Sequence, residues 1–130
     1  MSELEVKMYY EDTDCGGVVY HANYLRYFER ARTEFLAERG ILIRDFMEQG
    51  IIFVVVRAEV NFESPARYGD ILSIQSEIEE ARKVSFSFAH VVRRKGEDTV
   101  LVRARIKLGC VNGERKPTRI PTAILEAMGR

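Results

Sequence analysis

The residues with the clearest chemical potential are concentrated in the segment YYEDTDCGGVVYHANY, residues 9–24. Three acidic residues of this segment precede two glycines and His21, which is one of the two histidines of the chain. The acidic residues are Glu11, Asp12 and Asp14. A carboxylate can attack a carbonyl carbon or activate a water molecule beside it. The composition of this segment therefore indicates acyl transfer or hydrolysis.

The backbone of the same segment offers a second part of such a site. Gly16 and Gly17 have no side chains, so a substrate carbonyl could approach the main chain closely. The segment leads into a predicted helix, whose first N–H groups are unpaired and carry the positive end of the helix dipole. Such donors stabilise an oxygen atom that becomes negative during a reaction.

A purely structural interpretation of these residues is also open. Asp12 and Asp14 are of the type that caps turns before glycine, and a Gly16-Gly17 pair is more often a turn than a reactive centre. His21 could be an ordinary surface residue beside the helix start. Local spacing alone favours this structural interpretation.

The elements that must position the segment follow from hydrophobic periodicity. Glu3–Tyr10 alternates as a first strand, and from about Asn23 apolar residues recur at three- and four-residue spacing, which predicts an amphipathic helix. Asn23 is the predicted N-cap, and Gly40 the predicted end. A shorter amphipathic segment, Arg44–Gln49, follows.

The second half of the chain has the period of a sheet. Four segments alternate with a period of two and are separated by turns: 56–63, 71–81, 83–94 and 99–112. Consecutive strands joined by short turns must pair antiparallel, because a parallel return needs a crossover. Residues 116–121 are predicted to finish the sheet, and Thr122–Met128 to form a brief helix. One helix on one face of such a sheet is an α+β two-layer domain, which covers the sheet incompletely and predicts self-association.

Composition restricts the class of protein. The 130 residues fit one domain, 1–130, and the formal net charge of zero gives no field that would attract nucleic acid. The longest apolar run, Ile51–Val56, is too short for membrane insertion, and no signal peptide is visible. Cys15 and Cys110 form neither a CxxC motif nor a disulfide framework, so we expect a cytoplasmic protein with reduced thiols. No spacing of Cys and His predicts a metal, and no GxGxxG or P-loop predicts a cofactor.

The segment YYEDTDCGGVVYHANYLRYFERARTEFL, residues 9–36, resembles the N-terminal signature of the hotdog-fold acyl-CoA thioesterases. The resemblance is strongest to the 4-hydroxybenzoyl-CoA thioesterase group and, within it, to the branch associated with the Tol–Pal cluster of Gram-negative bacteria. VNFESPARYGDIL, residues 60–72, matches a second segment, at whose turn Pro65 and Asp70 recur in the family. The resemblance extends over essentially the whole chain and implies the hotdog fold, a long central helix wrapped by an antiparallel sheet.

The resemblance also implies roles for individual residues. The second aspartate of Asp-Thr-Asp, here Asp14, corresponds to the catalytic carboxylate, which acts as nucleophile or as base for water. The position seven residues on, here His21, supplies the N–H that polarises the thioester carbonyl, and its side chain could assist. Tyr10 matches a tyrosine of the acyl site, and Gly16 and Gly17 would leave room for the acyl carbonyl.

Other candidates carry weaker signals. Arg82 and Lys83 lie in a strand connection where such enzymes meet the nucleotide and pantetheine of coenzyme A, although basic residues in a tight turn are often only solvated. Glu29 and Glu34 rank behind Asp14 as catalytic acids, because another hotdog group draws its carboxylate from the long helix. His90 is in phase with the apolar residues of its strand, which predicts a core or interface histidine.

The function implied by the resemblance is hydrolysis of acyl-CoA, with a short-chain, fatty or aromatic acyl group, to a carboxylic acid and free coenzyme A. The implied assembly is a homodimer with the site between subunits, or a homotetramer. One alternative is a non-catalytic module of the same fold that binds acyl-CoA or an acyl-carrier protein. Another is a hotdog dehydratase, for which no histidine is well placed.

Overall fold

A computed structural model describes all 130 residues of the chain. Its elements are β1 (Ser2–Lys7), α1 (Asn23–Ala37), α2 (Ile43–Met47), β2 (Ile52–Phe62), β3 (Ile71–Ala81), β4 (Ser85–Arg94), β5 (Val100–Val111) and α3 (Thr122–Ala127). A single turn of 3-10 helix, Tyr10–Asp12, lies between β1 and α1. None of the helices combines the length and the apolar character that a membrane crossing requires.

The strands form one antiparallel sheet in the order β1-β3-β4-β5-β2. The prediction that consecutive strands pair holds for β3, β4 and β5, but it is wrong for β2, which pairs with β5 rather than β3. The physical reason is that residues 63–70 cross over instead of making a hairpin. Ser64 N–H donates to Leu101 O on β5, while Gly69 N–H donates to Met8 O at the other edge of the sheet.

The core lies between α1 and one face of the sheet. The helix buries the stripe that its periodicity predicts, consisting of Tyr24, Tyr27, Phe28, Ala31, Phe35 and Leu36. Phe35 meets Phe88 of β4 edge to face, with 5.1 Å between ring centroids. Each large apolar side chain buried in this way contributes about 1.5–3 kcal/mol. The predicted α+β architecture, a long helix against an antiparallel sheet, is confirmed.

Element boundaries differ from prediction where the first strand approaches the helix. β1 ends at Lys7 rather than Tyr10, because the chain then turns into the 3-10 helix. Ala22 is the N-cap of α1, so the prediction of Asn23 at that position is wrong; Asn23 is helical, and its Nδ2 donates to Asp12 O over 3.0 Å. Residues 116–121 add only one bridge to the sheet, between Val111 and Pro117.

Candidate active site

The loop between the 3-10 turn and α1 folds as a miniature hairpin. Thr13 and Val19 face each other in an antiparallel bridge. Asp14 N–H donates to Val18 O over 2.9 Å, and Tyr20 N–H donates to Asp12 O over 2.9 Å. These two hydrogen bonds on either side of the bridge place Asp14 at the tip of the hairpin.

The returning limb of this hairpin is attached to the connection between β2 and β3. Val19 N–H donates to Ala66 O over 2.8 Å, and Val18 forms an isolated bridge with Arg67. Val19 and Ala66 are both buried, so this attachment belongs to the core. The position of Asp14 is therefore determined by long-range contacts as well as by its own turn.

The two glycines at the hairpin tip have different roles. Gly16 N–H donates to Asp14 Oδ1 over 2.7 Å, and a Cβ atom at Gly16 would lie 3.2 Å from that oxygen. Gly17 has a φ of +80°, a left-handed conformation that glycine adopts without strain. Gly16 therefore orients the carboxylate, and Gly17 allows the chain to reverse.

Asp14 and His21 line one open cleft of about 360 Å³. The other walls combine apolar and polar residues from three parts of the chain: Val18, Val19, Tyr24, Phe62, Glu63, Ser64 and Pro65. Both side chains are exposed. A carboxylate and an imidazole thus face the same space, as required for two groups that act on one substrate.

The chain just before α1 has unpaired backbone donors, one of them on His21 in the cleft wall. The N–H groups of Asn23, Tyr24 and Leu25 donate to the carbonyl groups three residues before them. Those of His21 and Ala22 make no hydrogen bond within the chain and remain available to an acceptor. The free donors therefore lie just before α1, at the position that the resemblance assigns to carbonyl polarisation.

The remaining predicted site residues lie outside this cleft. Tyr10 is exposed, and its ring centroid is 6.2 Å from that of Tyr68. Arg82 and Lys83 are exposed at the β3–β4 turn, where Arg82 forms an ion pair with Glu80. The 11 residues of β3, at about 3.3 Å each, separate this turn from the end of the sheet that carries Asp14. Coenzyme A contacts of these residues stay a prediction.

A second cavity of about 250 Å³ lies between α1, α2 and the sheet. Nine of its 12 lining residues are hydrophobic, among them Met47, Phe53 and Val55. Its polar wall comes from α1 and includes Glu29 and Arg32. Burial lowers the pKa of Arg32 to about 10, while the charge of Glu29 acts in the opposite direction. Glu29, one of the second-ranked acids, thus lines this cavity and not the Asp14 cleft.

His90 is a core histidine, as its phase in the strand predicts. Its ring stacks on Phe28 and Phe88, with centroid distances of 4.7 and 5.6 Å. Nδ1 lies 2.7 Å from Ser76 Oγ, and Nε2 has no hydrogen-bond partner. Burial and the nearby charge of Arg32 lower the pKa of His90 to about 3, so the buried ring is neutral.

Two features of the site were missed by sequence reasoning. One is a wall of the cleft formed by the end of β2 and the connection after it, including Phe62 and Glu63. From the sequence, these two residues were assigned only to a strand and its turn. The match of residues 60–72 to the family segment was the signal that could have identified this wall. The other missed feature is the set of hydrogen bonds that Asp12 makes to Tyr9, Asn23 and Tyr27.

A long helix packed against one five-stranded antiparallel sheet is the architecture of the hotdog class of α+β domains. The chain belongs to the thioesterase-like superfamily, whose family model matches residues 10–128. The predicted hotdog-type thioesterase family is thereby confirmed, and membership of its Tol–Pal-associated branch stays a prediction.

Similar proteins agree with this classification. The acyl-CoA thioester hydrolase YbgC of Escherichia coli O6:H1 is 40% identical over 121 residues, covering 92% of this chain and 90% of the relative. A 1,4-dihydroxy-2-naphthoyl-CoA thioesterase from Synechocystis superposes with a TM-score of 0.91 at 25% identity, covering 98% and 94%. A 4-hydroxybenzoyl-CoA thioesterase mutant, crystallised with 4-hydroxybenzoyl-CoA, gives 0.89 at 25% identity, covering 98% and 97%.

Proposed function

We propose that the chain is an acyl-CoA thioesterase, in which Asp14 hydrolyses the thioester to a carboxylic acid and free coenzyme A. The observation that carries this proposal is the shared cleft of Asp14 and His21, in which the backbone N–H of His21 has no partner within the chain. Relatives that align along nearly the whole chain are named acyl-CoA thioester hydrolases. Residues 1–130 act as one catalytic domain in this proposal.

The chemistry follows from the arrangement of donors and carboxylate. The thioester oxygen accepts hydrogen bonds from the His21 and Ala22 N–H groups, which stabilise the negative charge that develops on it. If Asp14 acts as a base, it takes a proton from water, the hydroxide oxygen bonds to the carbonyl carbon, and the C–S bond breaks. The departing thiolate then receives that proton.

If Asp14 acts as a nucleophile, its oxygen bonds to the carbonyl carbon and the thiolate leaves, which forms a mixed anhydride. Water then cleaves the anhydride, which releases the carboxylic acid and restores the Asp14 carboxylate, and the remaining proton of the water goes to the thiolate. The hydrogen bond from Gly16 N–H occupies Oδ1 and leaves Oδ2 available for either step. Both routes consume one thioester and one water molecule.

We propose that the site is completed by a second copy of the chain, paired through β2. This strand is a free edge of 11 residues, and Val55, Val56 and Phe62 on it are each more than half exposed. A long apolar edge is unfavourable in water and pairs readily with another strand. The other edge, β1, has only six residues, three of them charged.

If a two-fold axis relates the two copies at β2, the two β2 strands would pair antiparallel. The end of one β2, at Phe62 beside the Asp14 cleft, would then lie near the beginning of the other, at Ile52 beside the apolar cavity. The acyl group would enter that cavity while the thioester remains at Asp14. The same end of the second copy carries Arg82 and Lys83, which supports their proposed role with coenzyme A.

The assembly of the protein, its location and the source of the acyl group belong to the same proposal. In this proposal two such dimers associate as a homotetramer, the protein works in the cytoplasm, and an acyl-carrier protein can also donate the acyl group. The residue pattern YYEDTDCGGVVYHANY supports the Tol–Pal-associated branch of the family. Sedimentation of the purified protein tests the assembly, and a monomer at micromolar concentration would contradict it.

The function is tested by thiol release from a panel of short-chain, long-chain and aromatic acyl-CoA substrates. We expect turnover of at least one class by the wild type, a loss of about a thousandfold in Asp14→Asn, and little change in the neighbouring control Glu11→Gln. Undiminished turnover by Asp14→Asn would contradict the assignment. Binding of acyl-CoA without hydrolysis of any substrate would instead support a non-catalytic binding module.

A further inference from the structure

Asp12, the first aspartate of Asp-Thr-Asp, is the most heavily hydrogen-bonded residue of the loop. Its Oδ2 accepts from Tyr9 N–H over 2.8 Å, and its Oδ1 accepts from the Tyr27 hydroxyl over 2.6 Å. Its backbone oxygen accepts from Tyr20 N–H and from Asn23 Nδ2. Four hydrogen bonds thus converge on one residue, which exceeds what a turn cap requires.

These four donors come from separate parts of the site. Tyr9 begins the 3-10 turn, Tyr20 closes the base of the hairpin, and Asn23 and Tyr27 belong to the first turns of α1. Asp12 therefore links the base of the hairpin that carries Asp14 to the first turns of α1, on either side of the free His21 and Ala22 N–H groups. The two halves of the proposed reaction centre are joined through this residue.

The helix side of this link is rigid. Tyr27 is 2% exposed, and its ring packs edge to face against Tyr24 at 5.8 Å. Burial, followed by the hydrogen bond and the charge of Asp12, raises the pKa of Tyr27. The hydroxyl consequently keeps its proton and donates to Asp12 across the physiological range of pH.

We propose that the Asp12–Tyr27 pair is a positioning device, which holds the Asp14 carboxylate at a fixed distance from the His21 and Ala22 N–H groups. This inference rests on the proposed thioesterase function. Asp12 itself faces Tyr27 and the 3-10 turn rather than the cleft, so it acts through Asp14. Small displacements of a reacting group cost large factors in rate, so the pair contributes to kcat.

The test compares Tyr27→Phe, which removes only the hydroxyl, with Ser76→Ala. Ser76 is a matched control, because its buried hydroxyl also makes one hydrogen bond, to His90, and does not contact the loop. We expect Tyr27→Phe to lower kcat about tenfold with KM changed less than about twofold. Ser76→Ala should show a similar decrease in unfolding temperature and an unchanged kcat.

A second comparison tests whether Asp12 and Tyr27 act as one unit. Asp12→Asn is expected to lower kcat by about tenfold or more, and the double variant with Tyr27→Phe to be no slower than the slower single variant. Losses that multiply in the double variant would overturn the inference, as would an unchanged kcat in Tyr27→Phe or an equal loss in Ser76→Ala. A wild type without activity on any acyl-CoA would instead overturn the proposed function on which this inference rests.

Discussion

The two histidines of the chain occupy opposite environments. His21 is exposed beside Asp14, and its ring has only Tyr20 and Phe62 as aromatic neighbours. His90 is 1% exposed, stacked on two phenylalanines and paired with Ser76. A ring packed between two core phenylalanines contributes to the stability of the fold, whereas one that faces a cleft is available to substrate. If the proposed function is correct, the same residue type has two roles in this chain, which substitutions should separate.

The two histidines are expected to differ most in their contribution to the stability of the fold. His90→Ala should lower the free energy of unfolding by about 3 kcal/mol, because it leaves a cavity between Phe28 and Phe88 and an unpaired Ser76 hydroxyl. His21→Ala should change it by less than about 0.5 kcal/mol. Urea denaturation at one fixed protein concentration measures both values, and equal losses would remove the distinction.

The pH dependence of stability tests the buried environment of His90 directly. The pKa of His90 is lowered to about 3, whereas a histidine in the unfolded chain has a pKa of about 6.5. Between these values the unfolded state binds a proton that the folded state does not. The contribution of His90 is therefore complete above about pH 6.5 and decreases as the pH falls toward 3, by about 1.4 kcal/mol per unit.

Denaturation between pH 7.5 and pH 5 checks this expectation. The wild type should lose stability on acidification, in part through the proton that His90 binds only in the unfolded state. His90→Phe should lack the part of the slope that His90 contributes. A slope in His90→Phe identical to that of the wild type would show that the buried imidazole does not titrate in this way.

Activity should reverse the order of the two histidines. His21→Ala is expected to lower kcat by about tenfold, because the backbone N–H at this position is retained and only the assistance of the side chain is lost. Thiol release under saturating acyl-CoA measures this effect. A loss beyond about a hundredfold would assign the chemistry to the imidazole and would contradict a backbone role.

The smallest expected effect concerns two glycines, one in the candidate site and one in a distant turn. Gly17 and Gly96 both have a φ of +80° and free space where a Cβ atom would lie. Substitution of either by alanine should cost about 1 kcal/mol of stability, because a side chain strains the left-handed conformation. Only Gly17→Ala should also lower kcat, since Gly96 lies in the β4–β5 turn. Equal kcat values for both variants would contradict the placement of Gly17 in the site.

Local patterns predicted much of this fold. The stripe of α1, the bounds of β3 at Ile71 and Ala81, and the end of the helix near Gly40 all depend on residues close in sequence. The position of β2 at the edge could not be predicted in the same way. It depends on residues 63–70 crossing the sheet, and alternation in a strand does not specify its partner.

The candidate site, like the fold, could be predicted from the sequence only in part. Asp14 and His21 could be named as candidate residues from the motif and its resemblance, because the proposed chemistry depends on residue type and spacing. The hydrogen bond between Asp12 and Tyr27 joins residues 15 positions apart and exists only after the hairpin has folded against α1. Asp12 therefore resembled a turn residue in the sequence, and its contacts identify it as an anchor of the loop.

The most direct test of the central claim is a single-turnover measurement with enzyme in excess over a good acyl-CoA substrate. Under this condition the rate reports cleavage of the thioester rather than release of product. We expect Asp14→Asn to bind the substrate with nearly unchanged affinity and to cleave it about a thousandfold more slowly than the wild type. Cleavage by Asp14→Asn within about tenfold of the wild-type rate would contradict the assignment of Asp14 as the catalytic carboxylate.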